Sequence, residues 1–221
     1  MRKMLLILFG ICLLLAAPLA MAQDNRVEIS ASAGYSLSNG IDVDPVEYED
    51  VTYDRITPAS GFSFDIQGDF FLTEGFSLGF NWGRQEGELK ARGVQAADRK
   101  FADMDVNNFH GIFTYNFGGE DEEIRPYLFG GLGATHYDPG DIEGNPSNSL
   151  TRFSTTWGGG VKIFASEHFG FKGGVRWTPT YVTTTDSGLW CDPWYPWYCW
   201  YSGNDQFSHQ FEFSGGIIAR F

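Results

Sequence analysis

The sequence predicts an all-β fold, an eight-stranded antiparallel up-and-down transmembrane β-barrel. Three observations predict it: apolar residues alternate with polar or small residues in eight segments, short connections alternate with long ones, and the last residue is Phe221. A strand of a membrane barrel presents one face to lipid and the other to the lumen, so its sequence shows a period of two. The chain also contains 17% aromatic residues and 28 glycines, a composition that favours β structure.

The first residues have the features of a secretory signal peptide. Arg2 and Lys3 precede an apolar segment from Met4 to Leu15, and Ala20-Met21-Ala22 supplies the small residues that signal peptidase recognises. The apolar segment is short for a membrane-spanning helix. We therefore expect a cleaved signal peptide at residues 1–22 and a single barrel domain at residues 23–221.

The charge of the chain excludes one class of function. Residues 1–22 contain two basic residues and no acidic residue, so the mature chain has 28 acidic and 13 basic residues and a formal net charge of −15. Nucleic-acid binding requires a basic surface, so no nucleic-acid partner is expected.

Five segments place apolar residues at nearly every second position: 27–37, 62–70, 76–82, 109–117 and 207–221. The positions between them are mostly polar, charged or glycine, so one face can meet lipid while the other lines a lumen. Three further segments, 125–137, 153–163 and 169–177, are strand-like but less regular. The glycine-rich middle of 125–137 leaves open which of its faces points inward.

The connections between these segments alternate in length. Short connections lie at 72–75, 118–124 and 165–168, and long polar or irregular connections lie at 39–60, 87–103, 138–151 and 179–206. Bacterial barrels have short periplasmic turns at one end and long extracellular loops at the other. Closure of the sheet also leaves no strand edge and no unpaired backbone group in lipid.

These segments resemble a known family. The run from Asn108 to Phe117, the run from Arg125 to Gly133 and the last strand ending at Phe221 are similar to strands of the outer-membrane β-barrel family that includes the OmpA transmembrane domain, OmpX and the opacity-type surface antigens. The resemblance covers essentially the whole mature chain. It implies a monomer in the outer membrane of a Gram-negative bacterium, with outer-membrane lipids and lipopolysaccharide around it. It also implies that Phe221 is the signal read by the barrel-assembly machinery. We expect no OmpA-type peptidoglycan-binding domain after the eighth strand. This fold hosts many functions, so the resemblance says little about activity.

Charged residues on the predicted lumen face form the first candidate site: Arg26, Glu28, Asp65, Asp69, Lys162, Lys172, Arg176, Glu212 and Arg220. The interior of an eight-stranded barrel is just wide enough to be filled by side chains. Buried charges must pair, so we interpret these residues as a structural ion-pair network. The alternative is a gated, narrow and mostly closed porin-like channel, as proposed for OmpA-like barrels.

The fourth long loop is the second candidate site. It contains the only cysteines of the mature chain, Cys191 and Cys199, and in an oxidising compartment these are expected to form a disulfide. Seven aromatic residues lie in the same loop: Trp190, Trp194, Tyr195, Trp197, Tyr198, Trp200 and Tyr201. They belong either to an interfacial girdle or to a rigid recognition surface for an extracellular glycan, a protein or lipopolysaccharide.

The first long loop is strongly acidic, with Asp42, Asp44, Glu47, Glu49, Asp50 and Asp54. A Ca²⁺ site is conceivable, but the spacing differs from that of an EF-hand loop, so we prefer a solvated acidic loop.

Catalysis has little support in the sequence. Some barrels of this size modify lipid A with a histidine and a serine beside the outer leaflet. Here Ser208 adjoins His209, and adjacent residues of a strand point to opposite faces, so they do not form a nucleophile–base pair. His110 and His168 are interpreted as structural. We therefore predict a structural or surface-interaction protein without enzyme activity or cofactor; a lipid A-modifying enzyme is the third hypothesis.

Overall fold

The structure is a computed structural model that describes residues 27–48, 51–58, 60–93, 98–119, 122–140, 149–183 and 206–221. These residues form ten strands: β1 (Val27–Ser38), β2 (Ile41–Tyr48), β3 (Val51–Pro58), β4 (Gly61–Phe71), β5 (Phe76–Gly93), β6 (Arg99–Asn116), β7 (Ile124–Pro139), β8 (Leu150–Phe164), β9 (Phe169–Val182) and β10 (Gln206–Arg220). In this part of the chain, no helix is long and apolar enough to cross a membrane.

Eight of the strands close into an antiparallel barrel, as the sequence predicts. Each strand pairs with two neighbours in the circular order β1, β4, β5, β6, β7, β8, β9, β10, and β10 pairs with β1 again. The turn end of the barrel carries the connections at 72–75 and 165–168. Val27 and Phe221 also lie there and exchange two backbone hydrogen bonds of 3.0 and 2.8 Å. The opposite end, with the longer connections, is the loop end.

The first two long connections contain more regular structure than expected. Strands β2 and β3 form a hairpin inside the connection at 39–60, and β3 pairs with β5 from Pro58↔Leu89 to Tyr53↔Gly93. Strands β5 and β6 continue far into the connection at 87–103. The expectation of an irregular connection at 39–60 is therefore wrong, because four of its residues, Ile41, Val43, Tyr53 and Ile56, are buried apolar side chains. The acidic side chains of Asp42, Asp44 and Asp54 are exposed, as expected.

Near the turn end the two faces of the wall follow the predicted alternation. On β4, Phe62, Ile66 and Phe70 are exposed, whereas Asp65 and Asp69 between them are buried in the lumen. Exposed apolar residues continue around all eight strands and form an apolar belt. The face of β7 that the sequence left open is also defined: Arg125 and Tyr127 point inward, and Leu128 points outward.

The polarity of the wall inverts toward the loop end, most clearly on β5. Its outward residues are apolar from Phe76 to Trp82 and then change to a charged series that starts at Arg84. Its inward residues are polar or glycine near the turn end, whereas Leu89 and Ala91 near the loop end are only 1% exposed. An outward charged face with an inward apolar face is typical of a structure in water. The wall above Trp82 is therefore an extension of the barrel beyond the apolar belt.

Aromatic side chains border the belt at both ends. Near the turn end, Tyr115 contacts Phe76 and Phe117 at centroid distances of 4.7 and 4.8 Å. Toward the loop end, Trp177 stacks on His209 at 5.7 Å, and its Nε1 donates to His209 Nδ1 over 3.2 Å. Two such girdles are typical of barrels in membranes, because aromatic rings favour the interface between hydrocarbon and water.

One gap interrupts the barrel wall. Strand β8 pairs with β9 from Phe164 to Trp157, and beyond that point only Ser154↔Thr180 pair in the described residues. Strand β8 nevertheless stays paired with β7 up to Leu150. Pro179 lies on β9 in the gap, and because proline has no backbone N–H it cannot complete the ladder.

Candidate functional site

The lumen charges meet first at the turn end. Glu28 on β1 accepts two hydrogen bonds at Oε1 from Arg220, from Nη2 at 2.9 Å and Nε at 3.1 Å. Its second oxygen accepts a hydrogen bond from Lys162 Nζ on β8. All three side chains are less than 5% exposed. One carboxylate thus holds two cations and joins β1 to β8 across the lumen.

Aromatic rings complete this lower layer. The Arg220 guanidinium lies 3.9 Å from the centroid of the Phe164 ring. The Lys162 ammonium lies 5.6 Å from the ring centroid of Phe71 and 5.5 Å from that of Tyr127. Cation–π contacts are stronger where water is excluded, as they are here. The layer fills the lumen at the turn end.

A second layer lies one step above. Lys172 Nζ donates to Ser30 Oγ at 2.9 Å and to Gln67 Oε1 at 3.2 Å. The amide of Gln67 in turn donates to Asp69 Oδ2 at 2.6 Å. Asp69 and Lys172, two of the predicted lumen residues, are therefore linked through Gln67, which the sequence analysis did not single out.

The third layer is centred on Arg176. Its Nη2 donates to Asp65 Oδ1 at 3.0 Å, and its Nη1 lies 3.7 Å from Glu212 Oε1. Asn81 Nδ2 donates to the same oxygen of Asp65 at 2.9 Å. Eight of the nine predicted lumen residues therefore lie buried in the lumen; Arg26 lies outside the described residues.

Several buried hydroxyl groups in the lumen have no protein partner among the described residues, including Ser32 Oγ, Ser63 Oγ and Thr114 Oγ1. Buried polar groups are almost always hydrogen-bonded, to water where no protein atom is available. The middle of the lumen is therefore expected to hold ordered water.

A histidine and hydroxyl cluster forms the fourth layer, beside the gap at Pro179. His110 Nε2 lies 2.9 Å from Ser154 Oγ. Thr135 Oγ1 lies 2.7 Å from Asn108 Oδ1, 3.0 Å from Ser154 Oγ and 3.1 Å from Thr180 Oγ1. These side-chain bonds link β7, β8 and β9 where the backbone ladder is incomplete. The sequence analysis missed this cluster, apart from interpreting His110 as structural.

An apolar cluster lies on the inward faces of the strands at the loop end: Ile41, Val43, Tyr53, Ile56, Leu89, Ala91, Ala102, Met104, Val106, Tyr137 and Val182. Its members come from β2, β3, β5, β6, β7 and β9. The Gln206 side chain fixes β2 over the barrel, because its Nε2 donates to Asp42 O at 2.6 Å and its Oε1 accepts from Asp42 N at 3.1 Å. The hairpin inside the connection at 39–60, which was expected to be irregular, thus supplies four residues of the cluster.

The outer surface of the extension carries a ladder of exposed ion pairs on β5 and β6. Arg84 Nη2 lies 2.6 Å from Asp105 Oδ2. Glu88 contacts Lys90 at 2.9 Å and Lys100 at 3.0 Å. Hydrogen bonds from Lys90 and Lys100 lower the pKa of Glu88 below 4.5. Hydrogen bonds to Asp103 and Glu88 raise the pKa of Lys100 above 10.5. Exposed pairs of this kind contribute little to stability, so their main effect is to keep this surface hydrated.

The aromatic loop residues from Trp190 to Tyr201, including Cys191 and Cys199, lie outside the described residues. The disulfide and the recognition surface therefore stay predictions. Ser208 and His209 point to opposite faces of β10, with Ser208 fully buried and His209 outward. Among the described residues, no group of three or more His, Cys, Asp or Glu side chains could hold a metal ion.

Comparison with known proteins identifies the family. The family model described as "outer membrane protein beta-barrel domain" matches residues 7–193. The chain belongs to this outer-membrane β-barrel family. A search of curated proteins found no match. The family implies the outer membrane of a Gram-negative bacterium, so the apolar belt lies in lipid, the turn end is periplasmic and the loop end is extracellular.

Solved structures share the architecture at low sequence identity. Neisserial surface protein A (NspA) is 14% identical with a TM-score of 0.56, covering 88% of this chain and 97% of that one. OprG of Pseudomonas aeruginosa is 12% identical with a TM-score of 0.55, covering 89% and 96%. AlkL, solved in lipid bilayers, is 15% identical with a TM-score of 0.51, covering 90% and 92%. At these identities the likeness concerns the fold alone.

Proposed function

We propose that this protein is a structural or surface-interaction protein that acts through its extracellular end. One observation carries the proposal: the barrel continues above the membrane as an extension with a charged exterior and its own apolar cluster, built on Leu89, Met104 and Tyr137. A protein whose role lay in the membrane alone would need no folded apolar core above the lipid.

The lumen supports this proposal over a channel. A path through the barrel would have to pass the Glu28 layer, the Arg176 layer and the apolar cluster. Ion-pair layers can rearrange, but the cluster has no charge to move, and the hydroxyl groups of Tyr53 and Tyr137 are its only polar side-chain groups. A narrow, mostly closed channel stays the second candidate, because the middle of the lumen is polar and contains buried hydroxyl groups without a protein partner among the described residues, where ordered water is expected.

The loop predicted from the sequence would supply the recognition surface. A disulfide between Cys191 and Cys199 would restrain the aromatic side chains of the fourth loop, and a rigid aromatic surface suits a glycan or protein ligand. A lipid A-modifying activity is the third candidate. His209 Nδ1 accepts a hydrogen bond from Trp177 and is not paired with Ser208, whereas His136 Nδ1 lies 2.8 Å from Thr151 Oγ1 on the outward face near the loop end.

The test compares bacteria that display the wild-type protein with bacteria that display a deletion of residues 190–201. We expect wild-type cells to adhere to cultured epithelial cells or to a glycan array, and cells with the deletion to lose adhesion. A Glu212→Ala variant serves as the control, since it alters only the lumen and should keep adhesion.

Planar-bilayer conductance of the purified wild-type protein and of Glu212→Ala completes the design. We expect no resolvable channel current in either. Equal adhesion of wild-type and deletion cells, or a steady conductance that Glu212→Ala changes, would overturn the proposal and favour the channel.

A further inference from the structure

The lipid-facing wall between β5 and β8 contains a groove. Two glycines, Gly111 and Gly130, occupy outward positions where the other strands carry large apolar side chains. The groove has a volume of about 810 Å³. Its walls are formed by four apolar side chains, one from each strand: Leu78, Phe113, Leu132 and Trp157.

Strand register sets the shape of the groove. Leu78, Phe113, Gly130 and Trp157 form one row across the wall, since each pairs with the next. Gly111 lies in the adjacent row, between large residues on either side. The two glycines are therefore diagonal neighbours. Because neither has a side chain, the two positions form one continuous depression in the wall.

The floor of the groove differs at the two glycines. A Cβ added at Gly130 would lie 2.8 Å from the Trp157 ring, so the indole ring packs directly against the backbone there. A Cβ added at Gly111 would find its nearest atom 3.9 Å away. The groove is thus walled by Trp157 at one end and open over Gly111.

The chemistry of the lining selects an apolar occupant. None of the six residues has a polar side chain except for the Trp157 indole nitrogen, and that nitrogen already donates to Thr155 Oγ1 at 3.1 Å. The groove lies within the apolar belt, where water has no hydrogen-bond partner. A void there would lose dispersion contacts along its walls, and a flexible chain that fills it would restore them.

The position of the groove indicates which leaflet supplies the chain. Leu78 is the third residue of β5 counted from the periplasmic end, whereas Trp157 is seven residues from that end of β8. The groove therefore starts at the depth of the periplasmic leaflet and rises toward the middle of the membrane. Glycerophospholipids form that leaflet of an outer membrane.

A second copy of this chain fits the groove less well. In a two-fold symmetric dimer, the same patch faces itself across the interface. Two concave surfaces placed face to face would enclose a void, and both Trp157 side chains would stay without new contacts.

We propose that the groove over Gly111 and Gly130 is a binding site for one acyl chain of a periplasmic-leaflet glycerophospholipid. The test uses the purified barrel in phosphatidylethanolamine and phosphatidylglycerol vesicles that contain a small fraction of phosphatidylcholine with a photoreactive diazirine in one acyl chain. After illumination, mass spectrometry locates the adducts. We expect adducts to concentrate on the groove residues of β5–β8 relative to the opposite face formed by β1 and β10.

Two matched variants test the site. Gly111→Leu fills the open floor and should lower groove adducts about fivefold, because the chain loses a series of dispersion contacts. Gly68→Leu is the control: Gly68 is outward, has no atom within 4 Å of an added Cβ, and pairs with Phe80, which pairs with Gly111. The control variant should give the same number of groove adducts as the wild type. Should Gly111→Leu fail to assemble, Gly111→Ala replaces it and should give a smaller decrease.

Three results would overturn the proposal. The first is even labelling around the barrel, and the second is an equal decrease in both leucine variants. The third is a protein–protein cross-link through the groove, which would assign it to a second copy of the chain. Adducts in the groove that form only after lipid A is added to the vesicles would overturn the choice of leaflet.

Discussion

Glu28→Gln removes one buried negative charge and keeps the shape of the side chain. In the wild type, Glu28 accepts three charge-assisted hydrogen bonds, two from Arg220 and one from Lys162. In the variant, the buried cations Lys162 and Arg220 face one neutral amide in place of a carboxylate. The amide nitrogen is a hydrogen-bond donor, so it cannot accept a hydrogen bond from either cation. Breaking a buried ion pair by removing one partner costs about 3–5 kcal/mol. The lower figure corresponds to roughly a hundredfold change in the unfolding equilibrium.

The assay is reversible urea unfolding of the barrel in phospholipid vesicles, followed by tryptophan fluorescence and by the gel mobility of the folded form. The matched control is Asp42→Asn. Asp42 contacts Arg55 at 2.7 Å, but both side chains are exposed, at 69% and 43%. An exposed pair contributes about 0–1 kcal/mol, so the control should unfold almost like the wild type.

A double-mutant cycle with Arg220→Gln then isolates the pair itself, because residues in direct contact show coupling that distant residues lack. A loss of less than about 1 kcal/mol for Glu28→Gln, equal to that of the control, would refute the reasoning. It would mean that water reaches this layer and screens both cations.

Three further outcomes are expected. Leu89→Ala should destabilise the extracellular extension by about 2–5 kcal/mol. We expect a protease to cleave the extension faster on intact cells, while the membrane part keeps the gel mobility of the folded form. Cleavage at the wild-type rate would contradict the packing of the apolar cluster. Pro179→Ala restores a backbone donor opposite Thr155, so amide exchange at Thr155, whose N–H faces β9, should slow; unchanged exchange would place the cause of the gap elsewhere. Because Lys90 and Lys100 lower the pKa of Glu88, the contribution of its ion pairs is present above the ordinary pKa of 4.5 and is lost as the pH falls through the lowered value. A carboxyl NMR titration should show this, and Lys100→Met should move the Glu88 midpoint upward; a midpoint that does not move would contradict the contact.

The eight membrane strands could be predicted because a period of two is a local property of the sequence. On β4, for example, Ile66 and Asp65 reveal their opposite faces by chemistry alone, and the structure places them so. The lumen charges followed from the same alternation, since a charged residue between two aromatic residues has only the lumen to enter. The pairing partners did not follow, because they depend on the register between strands.

The extension was missed for a related reason. Leu89 and Ala91 alternate with Lys90 and Arg92 as regularly as residues in the membrane strands. In this segment the charged residues face outward and the apolar residues face inward. The sequence analysis looked for strands with apolar residues on the outward face, so it assigned this segment to a loop. The alternation with a period of two, taken without regard to which face is apolar, would have predicted β5 up to its observed end. The hydroxyl cluster around Thr135 gave no comparable signal, because serine and threonine are common on lumen faces.

The inversion of polarity on β5 also fixes the depth at which the whole protein sits in the membrane. A displacement by two residues along the strand, about 7 Å, would carry Arg84 into hydrocarbon in one direction or expose Phe80 to water in the other. The outward apolar run that starts at Phe109 on β6 and ends at Phe117, directly after the strand, is about 27 Å long and gives about 21 Å of height at a tilt of about 40°. The bacterial outer membrane is thinner than an average bilayer with its hydrocarbon core of about 30 Å, so a belt of this height suits it. A thicker bilayer would have to thin around the protein, and neighbouring barrels with belts of similar height would be drawn toward the same thinned region.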